Sequence, residues 1–309
     1  LLKQSIILKP KSVIIFDKKS YLKNKKKFIK KKILVFNSFK ELKKKSLKNK
    51  IDYIMCAITG LAGLDSTLNC IDSTKCIAIA NKESIICGWN LIKNKLRKNN
   101  TKFIPVDSEH FSIWSLLQNE PIKSVEKIII TASGGPFLNY RLSRLNNVKP
   151  NEAIKHPNWQ MGKKISIDSA TMINKIYESI EAKNIFNIPY KKIEIIIHPK
   201  SYVHALIKFN SGPIKIIAHD TTMMIPIFNT LYLNSDKKIK SKELDFKTLN
   251  NLNFKKVEEN KFPLVKLLNK LPKYTSLYET ALITINDYLV YRFLEKKISF
   301  QKMIKLIYR

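Results

Sequence analysis

The chain has 309 residues, 44% of them hydrophobic, and a formal net charge of +33 from 57 Lys and Arg against 24 Asp and Glu. That length favours two domains over one, and the apolar share is enough for real cores. Cys56, Cys70, Cys76 and Cys87 form no CxxC pair and no zinc spacing, which excludes a disulfide scaffold or zinc finger and reads as reduced thiols of an intracellular protein.

No apolar run approaches transmembrane length, so no membrane partner is expected. No signal peptide opens the sequence, and it does not begin with Met, so a fragment or a processed form is expected. The charge admits two readings, a polyanion partner or compositional drift. Lys, Asn and Ile are over-used throughout, as in an AT-rich coding sequence. The Lys runs at 23–32 and 43–50 lie between apolar runs like solvated faces, with no RNA-binding motif beside them. No nucleic-acid partner is expected, and a phosphorylated substrate accounts for a smaller part of the charge.

Residues 1–106 alternate in the α/β manner. Apolar runs at Val13–Phe16, Ile33–Phe36, Tyr53–Ile58, Cys76–Ala80 and Phe103–Val106 predict strands, with helices at about 18–31, 38–49, 64–71 and 82–98. Continuous apolar strands alternating with helices predict a parallel sheet covered on both faces. No GxGxxG or GxxGxxG occurs. Thr59-Gly60-Leu61-Ala62-Gly63 is a strand–turn–helix signal that fits a ligand loop or an ordinary tight turn. Asn81-Lys82-Glu83-Ser84 follows a strand end, where ligands bind in open α/β sheets. Lys82 there suits an anion or is a surface lysine, and Asn81 suits a helix cap.

Pro105-Val106-Asp107-Ser108-Glu109-His110 follows the last of these strands. Asp107 and Glu109 are two apart, so in extended chain both carboxylates point the same way and suit a hard divalent cation. The competing reading is an Asp/Ser cap for a helix at about 108–118.

Lys127–Thr131 predicts a strand running into Ser133-Gly134-Gly135, a turn with backbone N–H groups free for an oxyanion. The aperiodic stretch 139–164 contains His156-Pro157-Asn158-Trp159-Gln160-Met161-Gly162, in which Trp159 is either part of a closing lid or a loop anchor. Asp168 or Ser169 is expected to cap a helix reaching about 186. On it Asn174, Lys175 and Glu178 share one face, either as a surface ion pair or as a third metal carboxylate beside substrate-binding groups. Strands are predicted at Ile193–Ile197, Val203–Phe209 and Ile214–Ala218, with a hairpin at Ser211-Gly212-Pro213. His198 opens a turn and His204 lies on a strand. Residues 234–262 are polar and aperiodic, and Thr275–Glu295 predicts a helix.

Taken together, AITGLAGL (57–64), ANKES (80–84), PVDSEH (105–110), TASGGPF (131–137), HPNWQMGKKISIDSATMINK (156–175) and IHPKSYVHA (197–205) closely resemble the 1-deoxy-D-xylulose 5-phosphate reductoisomerase family. The order and spacing agree from about 57 to 233. The resemblance implies an α/β chain with a partial doubly wound NADPH-binding domain (1–106). After it come an α+β catalytic and dimerisation domain with a mixed sheet (107–233), a linker (234–270) and a partial C-terminal helical domain (271–309). It implies a homodimer that binds NADPH, Mg²⁺ or Mn²⁺, and a sugar phosphate. The metal ligands would be Asp107, Glu109 and Glu178. Substrate would meet Lys82, Ser108, Glu109, Ser133, His156, Ser169, Asn174, Lys175 and Glu178. Asn81, Glu83 and Gly162 would line the cofactor site. Lys82, Glu109, His156, Trp159, Met161 and His198 would serve catalysis, with Trp159 and Met161 in the mobile loop. The implied chemistry is retro-aldol cleavage and re-addition, then hydride reduction of the branched aldehyde. The alternative is a silent homologue that only dimerises or binds a phosphorylated ligand.

The family's glycine-rich turn is missing, and the chain looks truncated at both ends relative to the family. Ile176 stands where the family has Gly, which is expected to crowd the helix face. His219-Asp220-Thr221-Thr222-Met223-Met224 replaces a Pro-Asp-Met-Arg segment, and Asn286-Asp287 replaces Asn-Glu. Bacterial cytoplasm is the expected location, with plastid stroma as the alternative.

Overall fold

The computed structural model describes every residue except 47, 48, 234 and 275. The first third alternates helix and strand: α1 (Leu2–Leu8), β1 (Ser12–Ile14), α2 (Lys18–Ile29), β2 (Leu34–Phe36), α3 (Phe39–Ser46), β3 (Ile51–Cys56), α4 (Gly63–Ile71), β4 (Thr74–Ile79), α5 (Lys82–Asn99) and β5 (Lys102–Pro105). All pairings here are parallel, but they form two ladders rather than one, β1-β2 and β3-β4-β5. Ile77, Ile79, Ile85 and Ile92 form the core under β4 and α5. The predicted Lys run 43–50 includes residues 47 and 48, which lie outside the described residues.

After α6 (Ser108–Leu116) come β6 (Val125–Ala132), α7 (Pro150–Ala153), α8 (Lys163–Thr171), α9 (Ile173–Phe186), β7 (Ile193–Ile197), β8 (Val203–Phe209) and β9 (Ile214–Ala218). The chain ends with α10 (Met224–Leu231), α11 (Phe246–Leu249), β10 (Lys255–Lys256), α12 (Tyr278–Leu294) and α13 (Phe300–Tyr308). The sheet order is β10-β7-β6-β8-β9; only β6 and β7 are parallel, so the sheet is mixed. The β8–β9 hairpin turns through Ser211–Pro213, and Gly212 takes φ +100 there.

Three expectations fail for physical reasons. The helix expected from Asp168 or Ser169 to about 186 is two helices, and neither residue caps one. Asp168 lies inside α8, 2% exposed, accepting from Asn286 Nδ2 at 2.8 Å and paired with Lys164 at 2.8 Å. The break falls at Met172, which is in the left-handed region at φ 61, ψ 13 and is itself buried. Both helices are buried nearly all round, so no polar face marks the break in the sequence.

The stretch 234–270 is not a bare linker. Asn234, its expected start, lies outside the described residues. Lys255–Lys256 extends the mixed sheet against Ile196 and Ile197. Pro263–Asn269 forms 3₁₀ turns that bury Leu264, Val265 and Leu267 in the core shared by α8, α9, α12 and α13. Their Lys-rich flanks hide this short apolar run. The final long helix begins at Tyr278; Thr275, its expected start, lies outside the described residues. Ile176 points into that same core at 0% exposure, so it does not crowd the face that carries Glu178.

Candidate active site

The end of β5 delivers Asp107 to the start of α6, where its Oδ1 accepts from the Ser108 backbone N–H at 3.0 Å. The cap therefore uses one carboxylate oxygen. The other, Oδ2, faces the Lys82 ammonium at 3.1 Å. On α9, Asn174, Lys175 and Glu178 look toward the same point, as their spacing predicts. Asp107, Glu109 and Glu178 each offer a carboxylate oxygen, all within 4.8 Å of one another.

This cluster is held by its own hydrogen bonds. Lys175 Nζ donates to Glu109 Oε1 at 2.5 Å and Glu178 Oε2 at 2.6 Å. Ser108 Oγ donates to Glu109 Oε2 at 2.6 Å, Asn174 Nδ2 donates to Glu178 Oε1, and Lys82 Nζ donates to Asn174 Oδ1 at 2.7 Å. Burial, with the charge of Glu109 next, pushes the Glu178 carboxyl up to about 8. Glu109 moves the other way. Burial opposes its charge, but the Lys175 ammonium and then the His204 ring outweigh burial and hold it below the usual carboxylate range. Both lysines are held above their ordinary range because their carboxylate partners outweigh burial.

The donor set fits a hard divalent cation. Four carboxylates (Asp107, Glu109, Glu178 and Glu181) face two ammoniums (Lys82 and Lys175), so full ionisation leaves two negative charges over. Asp107 Oδ2 also has no hydrogen-bond partner.

The cluster forms one end of a cavity of about 220 Å³. Of the expected site residues, Lys82, Asp107, Ser108, Glu109, Ser133, His156, Trp159, Met161, Ser169, Asn174, Lys175 and Glu178 all line it. Ser133 is prepared as a donor. His156 Nδ1 accepts from the Asn158 and Trp159 backbone N–H groups at 3.1 and 3.0 Å, which places the ring proton on Nε2. Nε2 donates to Ser133 Oγ at 3.0 Å, and the Gly135 N–H donates to the same oxygen at 3.0 Å. The Ser133 hydroxyl hydrogen is thereby left for a ligand oxygen. Burial, then the positive charge of Lys175, lowers the His156 pKa to about 4, so the ring stays neutral. Gly135 is required here: at φ +64 an added Cβ would lie 2.8 Å from the Ser169 carbonyl oxygen.

Four expected site residues lie outside the cavity wall. Asn81 is buried; its amide donates to the Ile58 and Gly60 carbonyls while its Oδ1 caps α5 through Ser84 N–H. It shapes the Thr59–Gly63 turn rather than presenting a free polar atom. Gly63 fits that turn because a Cβ would meet the Ile58 carbonyl at 2.4 Å. Glu83 sits in the first turn of α5 beside the Asn81 amide at 3.3 Å. Gly162 precedes α8 in open space with φ −61, so no steric demand selects glycine there. His198 is fully buried behind the cavity, holding the Asn253 carbonyl through Nδ1 at 3.0 Å and packed against Phe254.

Other groups reach the site unannounced. Thr131, Gln160, Ile165, Ser201, His204 and Met223 also line the cavity. His204 stacks on His219 with ring centroids 4.0 Å apart and meets Trp159 edge-on at 6.2 Å. Alternation along β8 could have placed His204 on the same face as Tyr202 and Leu206, but not over Trp159. Behind Asp107 lie His110 and Glu181, both essentially buried. Their spacings, three after Asp107 and three after Glu178, were the available signal.

Comparison with known proteins gives the family. Residues 1–88 match the model described as 1-deoxy-D-xylulose 5-phosphate reductoisomerase, residues 103–186 its C-terminal domain, and residues 220–309 the DXP reductoisomerase C-terminal domain. The 1-deoxy-D-xylulose 5-phosphate reductoisomerase of Pelagibacter ubique strain HTCC1062 is 58% identical over 301 residues, covering 97% of this chain and 78% of that protein. The chain belongs to this family. A reductoisomerase from Wolbachia pipientis wMel is 44% identical over 262 residues, covering 83% of this chain and 67% of that protein. Among solved structures, the Zymomonas mobilis reductoisomerase in complex with NADPH superposes with TM-score 0.89 at 33% identity, covering all of this chain and 80% of that one. A reductoisomerase in complex with NADPH, fosmidomycin and magnesium superposes with TM-score 0.87 at 30% identity, covering 99% of this chain and 78% of that one. The reductoisomerase fold is therefore α/β with parallel ladders followed by a mixed sheet, as the sequence implies.

Proposed function

We propose that this chain converts 1-deoxy-D-xylulose 5-phosphate to 2-C-methyl-D-erythritol 4-phosphate, a metal- and NADPH-dependent step toward isoprenoid precursors by the non-mevalonate route. The observation that carries this reading is one cavity lined by three clustered carboxylates, by Lys82, Lys175 and Asn174 bound to them, and by the Ser133–His156 pair.

Asp107, Glu109 and Glu178 would hold Mg²⁺ or Mn²⁺, and Lys175 would pin Glu109 and Glu178 in place. When bound, such a cation polarises carbonyl and hydroxyl oxygens as a Lewis acid, and NADPH supplies hydride. Ser133, with its hydroxyl hydrogen free, Ser169 and the neutral His156 would orient the phosphate. Lys82 and Asn174 would orient hydroxyls next to the carboxylates. Trp159 and Met161 would close over the aldehyde and keep water out. Asn81 and Glu83 would set the turn against which the cofactor lies, with Gly162 at the start of α8. His198 would act from behind by fixing the end of β7.

A homodimer fits the exposed edge strand β9, where Ile214 and Ile216 face outward. Bacterial cytoplasm is the location we favour. No described helix is long and apolar enough to cross a membrane.

The test is NADPH oxidation by the purified chain with 1-deoxy-D-xylulose 5-phosphate and Mn²⁺, followed by loss of nicotinamide absorbance. We expect metal-dependent oxidation that Asp107→Asn and Glu178→Gln each abolish. Unchanged metal-dependent turnover in those variants would overturn the site assignment. The silent-homologue alternative is disfavoured, because every carboxylate and every phosphate-type group of the expected set lines this cavity. Binding of substrate without turnover would revive it.

A further inference from the structure

Behind the cavity lies a polar group that the proposed reaction leaves unused. Glu181 follows Glu178 by one helical turn on α9 and is 1% exposed. Its Oε2 has no hydrogen-bond partner and lies 3.9 Å from Lys82 Nζ and 3.8 Å from His110 Nδ1. His110 cannot serve it while neutral. The ring gives its Nε2 proton to the Glu178 carbonyl at 2.8 Å, which leaves Nδ1 an acceptor between Asp107 and Glu181. Among the described residues, the cation that reaches Glu181 is therefore Lys82. That ammonium has three hydrogens. Asn174 Oδ1 takes one at 2.7 Å, and the ammonium also faces Asp107 Oδ2 at 3.1 Å in front and Glu181 Oε2 at 3.9 Å behind, as ion pairs rather than hydrogen bonds.

This geometry makes Lys82 a competitor for Asp107. A divalent cation must displace an ammonium from the carboxylate it binds. We propose that Glu181 is a positioning residue that accepts the Lys82 ammonium when a divalent cation takes Asp107, so that cation and lysine occupy the site together. This rests on the metal reading above and adds a residue that touches neither substrate nor cation. Without Glu181, Lys82 would lean on Asp107 with its full charge, and cation binding would weaken only because Lys82 is there.

The test is titration of the nucleotide- and substrate-free chain with Mn²⁺ in four forms: wild type, Glu181→Gln, Lys82→Met and the double variant. Glu181→Gln is expected to weaken Mn²⁺ binding about tenfold, the lower range for groups that orient metal ligands. In the Lys82→Met background the same change is expected to shift it less than about twofold, because coupled residues do not add. Equal losses in both backgrounds would mean that Glu181 acts on the cation through its own charge. No loss in either would mean it does nothing there; both overturn the assignment. Glu181→Asp keeps the charge but withdraws it by one methylene, so its smaller loss must also require Lys82. That variant carries the same decision if the amide variant does not fold. A wild-type chain that fails to bind Mn²⁺ overturns the metal reading itself, whereas a wild-type chain that binds it with the wrong variant pattern overturns this assignment alone.

Discussion

Lys82 and Asn174, 92 residues apart, meet through a 2.7 Å hydrogen bond from the ammonium to the amide oxygen. Lys82 opens the helix that follows β4, whereas Asn174 lies in the first turn of α9 against the mixed sheet. The same amide gives its N–H to Glu178, so one side chain relays between a lysine and a carboxylate. Asn174→Ala removes both bonds at once. We expect kcat/KM to fall about 10- to 100-fold, in the range for groups that orient a metal site. Steady-state kinetics beside a thermal melt check this. A variant of normal stability and normal kcat/KM would show that the relay is unnecessary.

Ser133→Ala and His156→Ala should act as one unit, because His156 sets which way the Ser133 hydroxyl points. A hydrogen bond to a charged group is worth about 1.5–3 kcal/mol, so either change should raise KM by roughly 10- to 150-fold. The double variant should be little worse than the poorer single one. Strictly multiplicative effects in KM would separate the two residues.

Asp168 predicts a stability effect rather than a kinetic one. It is buried and bound by Lys164 and Asn286, and Lys164 also reaches Asp287 at 2.9 Å. Asp168→Ala leaves a lysine and an amide without their partner, which costs about 3–5 kcal/mol in comparable sites. Chemical denaturation measures this. A loss under about 1 kcal/mol would mean that the network relaxes onto water or onto Asp287.

The buried histidines make stability depend on acid. Burial first, then the adjacent His219, lowers the His204 pKa to about 4, and His156 is lowered to about 4 as well. Unfolded histidine takes up a proton near about 6.5. Between about 6.5 and about 4 the unfolded chain therefore binds protons that the folded chain refuses. The stability from these residues is complete above about pH 6.5 and falls as pH drops toward 4. We expect the urea midpoint to decline from pH 7 to pH 5, and less steeply in His204→Asn. Equal slopes in the two chains would exclude His204 as a source.

Much of this was legible beforehand. The apolar runs located every strand but β10 to within about two residues, and β7, β8 and β9 begin and end where their runs do. The i, i+4 spacing of Asn174 and Glu178 placed them on one face. For Asp107, Oδ1 caps α6 while Oδ2 makes no hydrogen bond, a division between its two oxygens that no spacing argument distinguishes. What stayed hidden depends on contacts distant in sequence. Asp168 reads as a cap until Asn286 arrives from α12. His198 reads as an active-site group until Asn253 and Phe254 cover it. Pro263–Asn269 reads as tether until the core it fills exists.

The left-handed turn at Met172 has one more consequence. It fixes the angle between α8, which presents Ser169, and α9, which presents Asn174, Lys175 and Glu178. The separation of Ser169 from the carboxylate end of the cavity thus depends on a single pair of backbone torsions, and the elbow works as a calliper. A substrate with one carbon more or fewer between its anionic end and its chelating oxygens would reach one jaw and miss the other. Selection by length would then come from the backbone, whatever side chains line the space between.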